Sequence, residues 1–215
     1  MILAFDTSGN DLHIGLFDDD ANVLGEFHHI ATAGERGVHD SLLAEQTLRL
    51  LATHGAQVRD IRRIAYISGP GSFTGLRIGL AFAKGLAFGG ACQLVPVVAH
   101  RVISECAVRT YPDREFTTIV TPGYEPTTVY VAAFGSAENV ILQRINDVRG
   151  AIVGPRALSE TLSASDIEFT PLDIDLGVLA YLSREFPVAA DPSNLEPFYG
   201  TDFKPHPSSI RSQKS

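Results

Sequence analysis

The sequence has little of what a secreted, metal-bound or membrane-spanning protein needs. It holds two cysteines, Cys92 and Cys106, and neither belongs to a CxxC pair or a metal-spaced set. That excludes a disulfide framework and suits a reducing compartment. Both cysteines lie in apolar surroundings and read as small core residues. No basic segment precedes the apolar opening Met1-Ile2-Leu3-Ala4-Phe5-Asp6, and the run is too short for a signal peptide or a membrane span. The expectation is a cytoplasmic protein without a membrane segment. Basic clusters are scarce too. Arg62-Arg63 is the densest pair, and the formal net charge is -8. A protein that grips a phosphate backbone alone shows a basic face, so tight unaided nucleic-acid binding is disfavoured.

What is present is an ordinary globular composition. The chain is 45% hydrophobic and 20% charged over 215 residues, enough for one large domain or two small ones around a real core. Residues 2–5, 12–17 and 23–30 are three apolar runs joined by tight turns, the second at Asp18-Asp19-Asp20-Ala21-Asn22. They read as a strand meander. Residues 38–54 follow with Leu43, Thr47, Leu50 and Leu51 at helical spacing. A β-branched strand is expected at 61–67, a long apolar helix from Thr74 or Gly75 to Phe88, a strand at 94–98 and a helix at 99–108. The pattern then starts again, with strands at 116–121, 128–134 and 139–145. A loose helix at 156–162, a strand at 167–171 and a helix at 174–185 complete the second half. The expected division is a first lobe at 1–110, a smaller, helix-poor lobe at 111–204 and a flexible tail at 205–215. A cleft between two similar α/β lobes is the natural place for a ligand.

Ser68-Gly69-Pro70-Gly71-Ser72-Phe73-Thr74-Gly75 is the most informative stretch. Glycines let the backbone turn sharply, and a helix N-terminus offers unpaired N–H groups, so the place suits an anion. Either Ser72 or Thr74 can cap the helix. The spacing matches neither GxxxxGK[ST] nor GxGxxG, which leaves a tight strand-to-helix turn as an equal reading. The helix behind it is apolar nearly all round, with only Arg77 and Lys84 charged. Such a helix is buried on more than one face. Gly79, Ala81, Ala83 and Gly85 permit close approach of another backbone, either within the chain or from a second one.

Gly69-Pro70-Gly71-Ser72-Phe73-Thr74-Gly75-Leu76-Arg77-Ile78-Gly79 resembles the signature of the TsaB (YeaZ) family. So do Ile2-Leu3-Ala4-Phe5-Asp6-Thr7-Ser8, Ala83-Lys84-Gly85-Leu86-Ala87, and His39 at the head of the first helix. The likeness covers roughly the first 100 residues. It implies an α/β fold of the duplicated actin-like, sugar-kinase-like and ribonuclease H-like kind, with a reduced second lobe. It also implies a non-catalytic subunit that pairs with the catalytic paralogue TsaD and the small ATPase TsaE. That complex installs threonylcarbamoyl on adenosine 37 of tRNA, and tRNA would be met only through it. Alone, such proteins tend to form homodimers through the two helices of the first lobe. On that basis His39, Leu42, Leu43, Gln46, Arg77, Leu80 and Lys84 are candidate partner-interface residues. The chain departs from the family at His39-Asp40-Ser41, where His-Ser-Glu is common, at Gly123-Tyr124-Glu125, where Asp-Ala-Arg is common, and at Tyr199-Gly200-Thr201.

Two rival readings stay open. In a nucleotide-binding actin-like module, Asp6, Thr7, Ser8, Gly69, Gly71, Ser72, Thr74 and Gly75 would line a site for ADP or ATP in the cleft or at the partner interface. Actin-like ATPases place one acidic residue at each meander. The first has Asp6, whereas the second has Thr121-Pro122-Gly123, so ATP hydrolysis is not expected and no cofactor is required. Asp6 reads better as a turn-forming or capping carboxylate. A glycoprotease-type hydrolase would need a matched nucleophile, base and orienting acid, and none is legible. Metal ligation is not expected either. His28-His29 point to opposite faces of a strand, and His39, His54, His100 and His206 are isolated.

Overall fold

The computed structural model describes residues 1–32, 38–89, 92–121, 127–135, 139–163, 167–189 and 191–200. The expected tail at 205–215 lies outside these, as do Pro122, Gly123, Tyr124 and Glu125.

The first half is a mixed sheet. β1 (Ile2–Asp6), β2 (Leu12–Phe17) and β3 (Val23–His29) form the expected meander, and β4 (Arg63–Gly69) and β5 (Gln93–Val98) add in parallel. The order is β3-β2-β1-β4-β5. Between the strands come α1 (Val38–Thr53) and α2 (Phe73–Gly89), and α3 (Ala99–Thr110) follows β5. The second half repeats this plan with β6 (Thr117–Val120), β7 (Thr128–Ala132), β8 (Ile141–Arg144), β9 (Ala151–Gly154) and β10 (Glu168–Pro171). Its order, β8-β7-β6-β9-β10, is the first shifted by five strands, and the parallel and antiparallel pairs correspond. This is the duplicated actin-like, ribonuclease H-like arrangement.

The second half is reduced in a specific way. Where the first has the 16-residue α1, the second has the single turn Ile145–Asp147. Where the first has the 17-residue α2, the second has the five-residue α4 (Ser159–Ser163). Only the last helix is kept, as α5 (Leu176–Glu185), capped by Asp175 Oδ1 accepting from Val178 N at 2.9 Å.

Strand alternation builds the layers. Leu3, Phe5, Ile64, Tyr66 and Leu94 face α1 and α2, where Leu43, Leu51, Leu80 and Ala83 complete an outer core. Ile2, Ala4, Ala65, Ile67, Val95 and Val97 face the other way, onto α3 and α5. Those two helices form a shared middle layer. α5, late in the sequence, packs on β1, β2, β4 and β5, while α3 packs on β6 and β9. The second sheet closes the middle core with Val120, Tyr130, Ala132 and Val153. The two halves therefore share one core, although sheet membership changes after residue 110. Cys106 is part of it, and burial pushes its thiol up to about 11, as suits an inert core residue.

Most elements lie within two residues of their expected bounds. β4 starts and ends two residues late, running into Gly69 of the loop. β9 was not expected from the sequence. It is four residues, Ala151-Ile152-Val153-Gly154, between Gly150 (φ 90°) and Pro155, too short to show alternation.

Candidate functional site

The loop after β4 is held by the turn after β1. Ser72 N donates to Ser8 O at 2.6 Å, and Thr7 Oγ1 donates to Gly75 O at 2.9 Å. Ser72 is the helix cap, its Oγ accepting from Gly75 N at 3.3 Å. Asp6 Oδ1 accepts from Ser8 N at 2.7 Å, closing the turn as a turn-forming carboxylate does. The structure thus brings Asp6, Thr7, Ser8, Gly71, Ser72 and Gly75 together, while Thr74 is exposed at the helix start. The glycines serve close packing. A Cβ at Gly75 would overlap the Thr7 carbonyl, one at Gly79 the Thr7 hydroxyl, and one at Gly71 the Ser8 carbonyl. Two of the N–H groups a phosphate would seek, on Ser72 and Gly75, are already used inside the chain.

Gly69 has φ 134°, a conformation that side chains rarely adopt, and precedes a cis peptide bond to Pro70. A Cβ there would also overlap the carbonyl of Phe198. The neighbour is a C-terminal strap without regular secondary structure beyond the single turn Pro192–Asn194. Ala189 N donates to Leu94 O at 3.0 Å, Lys84 Nζ to Ser193 O and Leu195 O at 2.9 and 2.8 Å, and Phe198 N to Ser68 O at 2.7 Å. Tyr199 stacks on Phe73 with centroids 5.1 Å apart, and the Arg77 guanidinium lies 5.2 Å from the same ring. At Gly200 the strap lies against Tyr130 of the second sheet.

α1 and α2 lie side by side on the outer core, and their outward positions form the second candidate surface. Several expected interface residues do not belong to it. Leu43 (1% exposed) and Leu80 (7%) point into the core, on the apolar sides of the helices that cover the first sheet. A Leu80→Glu change would place a carboxylate in that core, so it cannot test association alone. Gln46 is nearly buried, and His39 is a structural tie, its Nε2 lying 3.0 and 3.1 Å from the carbonyl oxygens of Asn10 and Asp11. Lys84 is engaged by the strap. Arg77 is exposed and Leu42 half-buried. The residues that do face outward are Ala44 and Leu48 (55% exposed) on α1, and Ala81, Gly85 and Phe88 (97%) on α2. A Cβ at Gly85 meets nothing within 4 Å. Leu48 and Phe88 were missed from the sequence. The signal was their place opposite the stripe that carries Leu43, Leu51 and Leu80.

A family profile described as TsaD, tRNA N6-adenosine threonylcarbamoyltransferase, matches residues 37–120. The chain is 33% identical over 106 residues to the tRNA threonylcarbamoyladenosine biosynthesis protein TsaB of Haemophilus influenzae, and 32% identical over 108 residues to that of Escherichia coli. A solved structure, YeaZ from Pseudomonas aeruginosa, superposes with a TM-score of 0.68 at 18% identity, over 91% of this chain and 97% of that one. The chain is similar to TsaB proteins over about half its length and shares the fold of YeaZ. The sequence matches cover 49% and 50% of the chain but only 42% and 44% of those two relatives. The sequence likeness therefore spans less than half of each relative, while the Pseudomonas YeaZ structure shows a shared fold over most of both chains. A tRNA N6-adenosine threonylcarbamoyltransferase of Pyrobaculum aerophilum is 32% identical over 121 residues, 34% of its length.

Among the described residues no group of three or more His, Cys, Asp or Glu side chains could hold a metal ion, and no helix is long and apolar enough to cross a membrane.

Proposed function

We propose that this chain is a cytoplasmic, non-catalytic subunit that holds a TsaD-like catalytic paralogue, together with a TsaE-like ATPase, for installing threonylcarbamoyl on adenosine 37 of tRNA. The observation that carries the reading is the outward face of α1 and α2. Phe88 and Leu48 are large, apolar and exposed, and Ala44, Ala81 and Gly85 beside them let a second backbone come close. Without a partner the same face supports a homodimer. The His100–Thr118 pair, with Nδ1 2.8 Å from Oγ1, is wholly buried and out of reach of any substrate. A glycoprotease-type hydrolase gains no support from it. The test is co-purification with the host's TsaD, followed by nucleoside analysis of tRNA after depletion. Loss of the modified adenosine on depletion, and of co-purification in Phe88→Glu, is expected. Unchanged tRNA would overturn the reading.

The second reading, a nucleotide-binding module, rests on the clustering of Asp6, Thr7 and Ser8 with Gly71, Ser72 and Gly75. Against it stands the internal use of the Ser72 and Gly75 amides. Calorimetry with ADP and ATP, with and without TsaD, separates the two.

A further inference from the structure

We propose that His13 and His28 form a two-imidazole site for a borderline-soft dication such as Zn2+, on the face of the first sheet turned away from α1 and α2. The two residues are direct cross-strand partners on β2 and β3. Their rings lie 4.5 Å apart between centroids and are tilted by 32°. Leu12, Ile14 and Phe27, their immediate chain neighbours, all pack into the outer core, so both imidazoles project from the opposite face. Nδ1 of His13 is buried and has no hydrogen-bond partner. A buried imidazole nitrogen left unpaired is costly, and a cation bound to its lone pair removes that cost. The His28 side chain is 50% exposed, so its ring is reachable from solvent and free to turn onto the same ion. Tetrahedral zinc with Zn–N bonds of about 2.0–2.1 Å needs its two nitrogens about 3.4 Å apart, within reach of rings at this spacing.

Two carboxylates stand around the pair. Asp6 is the cross-strand partner of His13 on β1, and one of its oxygens is used by Ser8 N. Glu26 Oε2 lies 3.9 Å from His28 Nε2, too far for a hydrogen bond but close enough to orient the ring through water. Since no three-ligand set is assembled among the described residues, water completes the coordination shell and the ion is exchangeable. Imidazole donors favour Zn2+, Ni2+ or Cu2+ over Mg2+ or Ca2+.

The experiment is calorimetric titration of the untagged full chain with ZnCl2, repeated on His13→Ala, His28→Ala and His29→Gln. His29 follows His28 on β3 and faces the other side. One ion per chain is expected, with a dissociation constant below about 100 μM. Each alanine variant should weaken it at least tenfold, and His29→Gln should leave it unchanged. Thermal unfolding should show a zinc-dependent rise in Tm for the parent chain and none for His28→Ala. His28 is half-exposed, so that variant decides the matter if His13→Ala folds poorly. No binding, or equal binding by parent and His28→Ala, overturns the proposal.

Discussion

Thr7 and Gly75, 68 residues apart in sequence, are joined by a 2.9 Å hydrogen bond from the threonine hydroxyl to the glycine carbonyl. The bond presses the start of α2 against the turn after β1, and the glycines on that side of the helix are the condition for the fit. Gly75→Ala and Gly79→Ala each push a methyl into backbone or hydroxyl atoms of Thr7. Each is expected to destabilise the chain by about 2 kcal/mol or more. Gly85→Ala, with open space around it, should instead stabilise by roughly 0.5–1 kcal/mol, because an exposed helical glycine gives up helix propensity. Urea unfolding of the three variants checks the contrast.

The outward and inward faces of α1 and α2 separate association from folding. Phe88→Glu and Leu48→Glu alter exposed side chains, so the folding free energy should move by less than about 0.5 kcal/mol. The mass by light scattering, alone or with TsaD, should fall to that of separate chains. Leu43→Ala, in contrast, empties a core position and should cost about 2–5 kcal/mol. A Phe88→Glu protein that folds and still associates as the parent does would remove the main support for the partner role.

The sequence showed the order of the elements well and the orientation of side chains less well. The meander was legible because its turns, such as Asp18 through Asn22, are polar and its strands apolar, and the duplication followed from the same pattern. β9 escaped because four residues are too few to display a period. Leu43 and Leu80, offered as interface residues, turn inward for a physical reason. On a helix apolar nearly all round, such as α2, the core-facing and solvent-facing stripes look alike in composition, so Leu80 and Phe88 could not be ranked from residue type alone. The strap escaped too, because its hold on Leu94, Lys84 and Ser68 uses its own backbone groups, which carry no sequence pattern. His13 and His28 were not paired because cross-strand register depends on turn geometry.

His100 should make the chain acid-sensitive in a defined window. It is fully buried, and burial pushes its imidazole down to about 3 from an ordinary 6.5. The unfolded chain then binds a proton that the folded chain refuses. Stability is fully present above about pH 6.5 and is lost progressively as pH falls from there toward 3. The lowered carboxyls of Asp18, Asp19 and Asp191, held down by hydrogen bonds to Asn22, the N-terminal amine and Ser193, act only at lower pH, around and below their ordinary value of 3.8. The slope between pH 6.5 and 4.5 is therefore assigned to histidine. In His100→Gln, which can still bond Thr118, the urea midpoint should vary less across that interval. An equal slope in both proteins would place the sensitivity elsewhere.

The strap offers the most local test of how the loop after β4 is held. Lys84 donates to two carbonyls, on Ser193 and Leu195, and Phe198 donates to Ser68, so one side chain and one amide tie the strap to α2 and β4. Lys84→Met keeps most of the aliphatic stem but removes both charged hydrogen bonds, a loss of about 1 kcal/mol for a partly exposed group. Because the strap's apolar side chains, Ala189, Leu195 and Phe198, are only partly buried, the change should appear as local opening more than as lost global stability. Hydrogen exchange at the amides of Ala189 and Phe198 should quicken several-fold in Lys84→Met, while amides in β1 and β4 keep the parent rate. If the β1 and β4 amides quicken equally, the strap and the first sheet open as one unit, and Lys84 supports the whole lobe instead of the strap alone.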